Sequence, residues 1–246
     1  MQQSFRDTGL SVILRAPVRR FAVFGERSSG TNFARRLIEK NTTLIAEDGL
    51  GWKHGHPAMV AIPPDVAVIC VVRDARSWVR SMHARPWHCT RAMQELGFSA
   101  FLRAEWQTVL DRPRYFPQVE GMGARHMPLQ ADRDPMTGKP FADIFALRRS
   151  KLSGLFSFLS RDCTIVFTRL EAIQSDPKGW VGAVCAGLEV PPSGAYDPVQ
   201  NRLGQRFQPA IEPRPPTPKA VSAVDLEFLK SRLDLRQEAA MGYDYS

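Results

Sequence analysis

Seven consecutive apolar residues, Val66 to Val72 (VAVICVV), constrain this chain more than any other feature. A strand with one wet face alternates apolar and polar residues. An unbroken apolar run of this length is a strand buried on both faces, as in the middle of a parallel sheet covered by helices. Arg73 and Asp74 close the run, and SWVRSMHAR, residues 77–85, returns to helical spacing. A similar unit lies upstream. RFAVFG (20–25) reads as a short strand ending at a glycine, ERSSG (26–30) as a loop, and TNFARRLIEKN (31–41) as a helix with Phe33 and Leu37 on its apolar face. Cys163–Phe167 (CTIVF) is a third candidate strand, and Trp180–Leu188 reads as a helix after Asp176-Pro177. Strands alternating with helices predict the α/β class, with a mainly parallel sheet flanked by helices.

With 246 residues, the chain can bury a full α/β core, and no linker divides it. The expected organisation is a single domain over 1–246. An irregular insertion at about 112–143 has the length and composition of a lid or binding segment. The Pro-rich stretch at about 208–219 is barred from regular structure by its prolines. Helical patterns are expected over 145–159 and 222–232.

The formal net charge of +8 favours an anionic partner, whether a phosphorylated co-substrate, an acidic polymer or nucleic acid. No RNA-binding, zinc-finger or helix-turn-helix pattern accompanies it, so nucleic acid is not the expected partner. Cys70, Cys89, Cys163 and Cys185 form no C-x-x-C pair. They read as reduced thiols of a cytoplasmic protein, not as a metal site. No apolar stretch is long enough to span a bilayer, so stable membrane insertion is not expected.

Gly25 and Gly30 are separated by four residues, between a strand and a helix start. That is the placement of a phosphate-binding loop. Outward-pointing N–H groups and the helix dipole attract an anion there. Ser28, Ser29 and Thr31 add hydroxyls, Arg27 adds a cation, and the same residues could instead form a simple turn capping a helix. A nucleotide-hydrolysing loop continues with Lys and then Ser or Thr, to reach the terminal phosphates and a magnesium ion. Here those positions are Thr31 and Asn32, which disfavours a metal-dependent ATPase or GTPase.

Arg73 follows the buried strand and Ser81 lies eight positions later, roughly 12 Å along a helix. The segment VVRDARSWVRS (71–81) resembles the 3′-phosphate-binding segment of sulfotransferases that use 3′-phosphoadenosine-5′-phosphosulfate (PAPS), and RSSGTNF (27–33) resembles their 5′-phosphosulfate loop. FTRLE (167–171), after the third strand, is similar to a segment of the same family. GWKHG (51–55) and DPMTGKPF (134–141) look like bacterial members. The resemblance implies a P-loop NTPase-like three-layer fold, PAPS as co-substrate and no metal. It implies a donor site at Arg27, Ser28, Ser29, Gly30, Thr31, Asn32, Arg73 and Ser81, and a small-molecule or glycan acceptor bearing a hydroxyl or amine. The family's loop lysine aligns with Ser28, leaving Arg27 as the nearest cation. The family's adenosine-side motif near the C-terminus has no clear counterpart, with Arg202, Gln205 and Arg206 standing where it would fall.

Sulfuryl transfer needs an in-line acceptor, stabilised oxygens and a base. In this family a histidine is commonly that base, and His54 is the first candidate, with His56 second. An unperturbed imidazole, titrating near 6.5, accepts a proton at neutral pH. Lys53 and Arg27 are the candidates for stabilising the oxygens. Glu171 would orient the site or cap a turn, and Trp87 and His88 would shape an acceptor pocket. Alternative readings are a P-loop nucleotide-binding protein without catalysis, or a phosphotransferase.

Overall fold

The computed structural model describes residues 3–200 and 207–245. In chain order the elements are α1 (Gln3–Thr8), β1 (Leu10–Ile13), β2 (Arg20–Gly25), α2 (Thr31–Asn41), β3 (Ile45–Ala46) and β4 (Val66–Val72). Then come α3 (Ala75–Ala84), α4 (Arg91–Glu95), α5 (Phe98–Arg103), α6 (Pro117–Glu120), α7 (Ile144–Ser157), β5 (Ile165–Arg169), α8 (Leu170–Ser175), α9 (Pro177–Leu188), α10 (Ala223–Arg232) and α11 (Leu235–Ala240). Contacts divide the chain into two compact units. One comprises residues 1–74, 151–205 and 234–246, and the other 75–150 and 206–233.

Among the described residues the first unit holds one five-stranded sheet in the order β1-β5-β4-β2-β3. All neighbours are parallel except the edge pair β1–β5. Every residue of β4 is buried, as its unbroken apolar run requires. Its register, Arg20 opposite Val66 and Val72 opposite Arg169, sets the carboxyl ends of β2, β4 and β5 along one edge. One face of the sheet, with Phe21, Val23, Ile69, Val71 and Val166, belongs to the same core as Leu37 and Ile38 of α2 and Trp180 and Val184 of α9. On the other face Phe24 meets Phe158, and Phe167 meets Phe5 edge-on and Phe156 in a stack. Both faces are therefore covered. The fold is α/β with a mostly parallel sheet.

β5 begins two residues later than CTIVF suggests. The reason is local. Cys163 closes a turn onto the Arg161 carbonyl, and the Thr164 hydroxyl accepts the Arg15 N–H at 3.0 Å, so ladder pairing starts at Ile165. Asp176 caps α9 by accepting the Gly179 N–H at 2.9 Å, with Pro177 at the first helical position.

The second unit is largely helical and irregular. Trp78 and Arg148 are completely buried, with the guanidinium 5.0 Å from the indole centroid. His83 bonds Thr217 at 2.6 Å and the Leu96 carbonyl at 3.1 Å, tying the Pro-rich strap to α3. The Val109–Pro128 bridge closes a loop over residues 110–127, and a turn at Asp134 is capped by its own carboxylate. Short helical turns interrupt it, but no long element forms.

Candidate functional site

The connection from β2 runs through α2 to β3 on one side, and the connection from β4 leads to β5 on the other. The strand order therefore reverses between the parallel strands β2 and β4, and the crevice beyond their carboxyl ends is where open α/β sheets bind ligands. Gly25–Gly30 and Arg73 both stand there.

The loop is built to bring backbone close. A Cβ on Gly25 would lie 2.5 Å from the Val71 carbonyl oxygen and 2.6 Å from Ser29 Oγ. Ser28 (φ +64°) and Gly30 (φ +99°) both take left-handed backbone. That conformation is uncommon for serine and costs of order 1–3 kcal/mol. Arg73 braces it, donating from Nη1 to the Ser28 carbonyl at 2.9 Å. The N-cap of α2 is Gly30, and no side chain caps the helix. The leading N–H groups of Thr31 and Asn32 have no intrahelical acceptor by helix geometry. Ser29 is completely buried, and its Oγ finds no hydrogen-bond partner among the described residues.

The turn after Gly51 packs onto this loop. Gly25 N–H donates to the Lys53 carbonyl at 3.0 Å, and His54 Nδ1 meets the Gly25 carbonyl at 2.7 Å. A carbonyl only accepts, so Nδ1 carries the proton and Nε2 holds the lone pair. Burial and the charges of Lys53, Arg27 and Lys151 hold His54 well below the ordinary imidazole range. It is neutral at physiological pH, and its titration lies below the 6.5 that its residue type alone implies. Lys53 donates to Asn32 Oδ1 at 2.5 Å, and burial, then Arg35, lowers its pKa. Arg27 is 5% exposed, with its guanidinium 5.9 Å from the Trp52 ring centroid. Thr31 is buried.

Thus Arg27, Ser28, Ser29, Gly30, Thr31, Asn32, Lys53, His54 and Arg73 come together in the first unit. Ser81 belongs to the second, on α3. The ring of His56 lies beside Gly154 of α7. Glu171 Oε1 accepts the Asp74 N–H at 3.0 Å and Oε2 accepts the Tyr243 hydroxyl at 2.9 Å, so it fixes the turn behind Arg73. Arg202, Gln205 and Arg206 lie outside the described residues. Lys151, 5% exposed, is a cation of this cluster that sequence reasoning missed. Its ammonium donates to the His54 carbonyl at 2.8 Å across 97 residues of chain, and no local motif announces it. Among the described residues no cluster of three or more His, Cys, Asp or Glu is placed to hold a metal ion.

No protein-family model, curated protein or solved structure matches the chain.

Proposed function

We propose that this protein is a sulfotransferase that moves the sulfuryl group of PAPS to an acceptor hydroxyl or amine on a small molecule or glycan. The sheet and its flanking helices are read as a P-loop NTPase-like three-layer architecture. The observation that carries the reading is the uncapped start of α2. There the buried Ser29 hydroxyl lacks a partner, left-handed Ser28 and Gly30 are held in place, and Arg27, Lys53 and Lys151 gather their charges. Each of the three cations acts on His54, and their positive charge attracts a bound phosphosulfate. Thr31 and Asn32 stand where a nucleotide-hydrolysing loop needs its lysine and metal-binding hydroxyl, and this favours sulfuryl over phosphoryl transfer.

PAPS supplies a sulfuryl group on an activated phosphate oxygen. The residues of the chain do the rest. Ser29, the N–H groups opening α2 and Arg27 hold the 5′ end. Arg73 is assigned to the 3′-phosphate. His54 Nε2 takes the acceptor proton as the new O–S (or N–S) bond forms and the S–O bond to the donor phosphate breaks. Lys53 and Arg27 stabilise the oxygens that gain charge, the role for which preorganised cations are most effective.

Calorimetric titration with 3′-phosphoadenosine-5′-phosphate without Mg²⁺, beside ATP with Mg²⁺, tests this. Binding of the bisphosphate that disappears in Arg73→Ala supports the donor site. Turnover lost in His54→Ala with binding kept supports the base. Binding of ATP–Mg²⁺ alone overturns the reading in favour of a phosphotransferase.

A further inference from the structure

We infer that Lys151 is a positioning residue for this site, holding the Trp52–Pro57 turn against the Gly25 loop and presenting a buried positive charge beside His54. The inference rests on the reading of the site as one for an anionic donor. Two contacts from one face of α7 carry it, since residues three apart on a helix are neighbours. Lys151 Nζ donates to the His54 carbonyl at 2.8 Å. One turn on, Gly154 leaves room for Pro57, whose Cδ lies 2.7 Å from where a Cβ would be. The Lys151 ammonium also lies 5.9 Å from the Trp52 ring centroid, and Trp52 meets His54 edge-on at 5.4 Å. The helix thus sets the height of the turn, and the turn presents His54 Nδ1 to the Gly25 carbonyl.

The charged groups facing His54 are Lys53 of its own turn, Arg27 of the Gly25 loop and Lys151 of α7, each opposing a proton on Nε2. Lys151 is therefore placed to keep the imidazole in its proton-accepting form and to add attraction for an anion at the loop. Two roles follow, and one substitution separates them. Glutamine keeps a donor for the His54 carbonyl but drops the charge.

The test follows the His54 ring signal by NMR through a pH titration of the full chain, wild type beside Lys151→Gln and Lys151→Arg. Calorimetry with 3′-phosphoadenosine-5′-phosphate at low and high salt runs alongside. In Lys151→Gln the midpoint should rise, because a charge that opposes the proton is gone. Affinity for the bisphosphate should fall about tenfold, with a shallower salt dependence. In Lys151→Arg the midpoint should stay at the wild-type value and binding should persist. An unchanged midpoint in the glutamine variant overturns the inference. If that variant does not fold, a raised midpoint or lost binding in the arginine variant does so. Wild-type protein that ignores the bisphosphate refutes the donor reading, while the midpoints still decide the part played by Lys151.

Discussion

A neutral imidazole among three cations leaves a mark on stability. In the unfolded chain His54 titrates near 6.5, and in the folded chain lower. Between those points the unfolded state binds more protons, so stability falls as pH drops below about 6.5 and levels off beneath the folded midpoint. Burial moves His83 in the same direction, so the comparison must isolate one group. His54→Gln keeps a donor for the Gly25 carbonyl and removes the titration. Denaturant unfolding between pH 8 and pH 5 should show a smaller acid loss in the variant than in the wild type, and equal slopes would refute the assignment. Ser29 gives a second signature at this scale. A buried hydroxyl without a partner costs about 1–3 kcal/mol, so Ser29→Ala should leave the protein as stable or more so. The same change should weaken bisphosphate binding about tenfold, because in the proposed site the hydroxyl's partner is the ligand. A hydroxyl serving only the fold would show the reverse, with stability lost and binding kept.

At the level of elements, the loop works through the approach of its backbone to β4. Gly25→Ala forces a Cβ against the Val71 carbonyl and Ser29 Oγ. The first is backbone within the sheet and cannot move aside cheaply, so the loop must open. Bisphosphate affinity should fall by at least about a hundredfold while circular dichroism keeps its α/β signature, since β2 already pairs through Gly25 itself. Near-native affinity would mean that the loop is not the cradle. β2, α2 and β4 were legible in the sequence because each carries its own boundary signal: a glycine, a helical period, or a solid apolar run ended by charge. β1 carries no such signal. It has four half-buried residues, and what makes it a strand is antiparallel pairing with β5 more than 150 residues away. β3 is two residues long and offers no pattern. In the site, the Gly25 loop and Arg73 were visible because they adjoin strand ends, and Lys53 and His54 because they fall in the GWKHG segment. Lys151 and Tyr243 were not, because the chain returns to the site there from remote segments. Glu171 was visible as an acid after a strand, but the two hydrogen bonds it accepts, from Asp74 and Tyr243, are a product of the fold.

Across the whole molecule the charge is unevenly held. The second unit carries 17 basic and 10 acidic residues, and the first carries 16 and 15, so +7 of the net +8 resides in the second. Several of the second unit's acids are engaged internally: Asp225 with Arg103, Asp143 with Arg232 and Asp111 with His88. This leaves Arg114 and Arg125 among its exposed cations. At physiological salt the screening length is about 8 Å, so a polyanionic partner feels where the charges are more than their sum. Arg114→Glu with Arg125→Glu, and Arg15→Glu with Arg19→Glu, each reverse two exposed arginines and each take the net charge from +8 to +4. On a sulfated-polysaccharide resin the second-unit pair should therefore elute at clearly lower salt than the first-unit pair, which should stay close to wild type. Equal shifts would mean that total charge alone governs retention. A larger shift from the first-unit pair would move the polyanion-binding surface to the sheet-bearing unit.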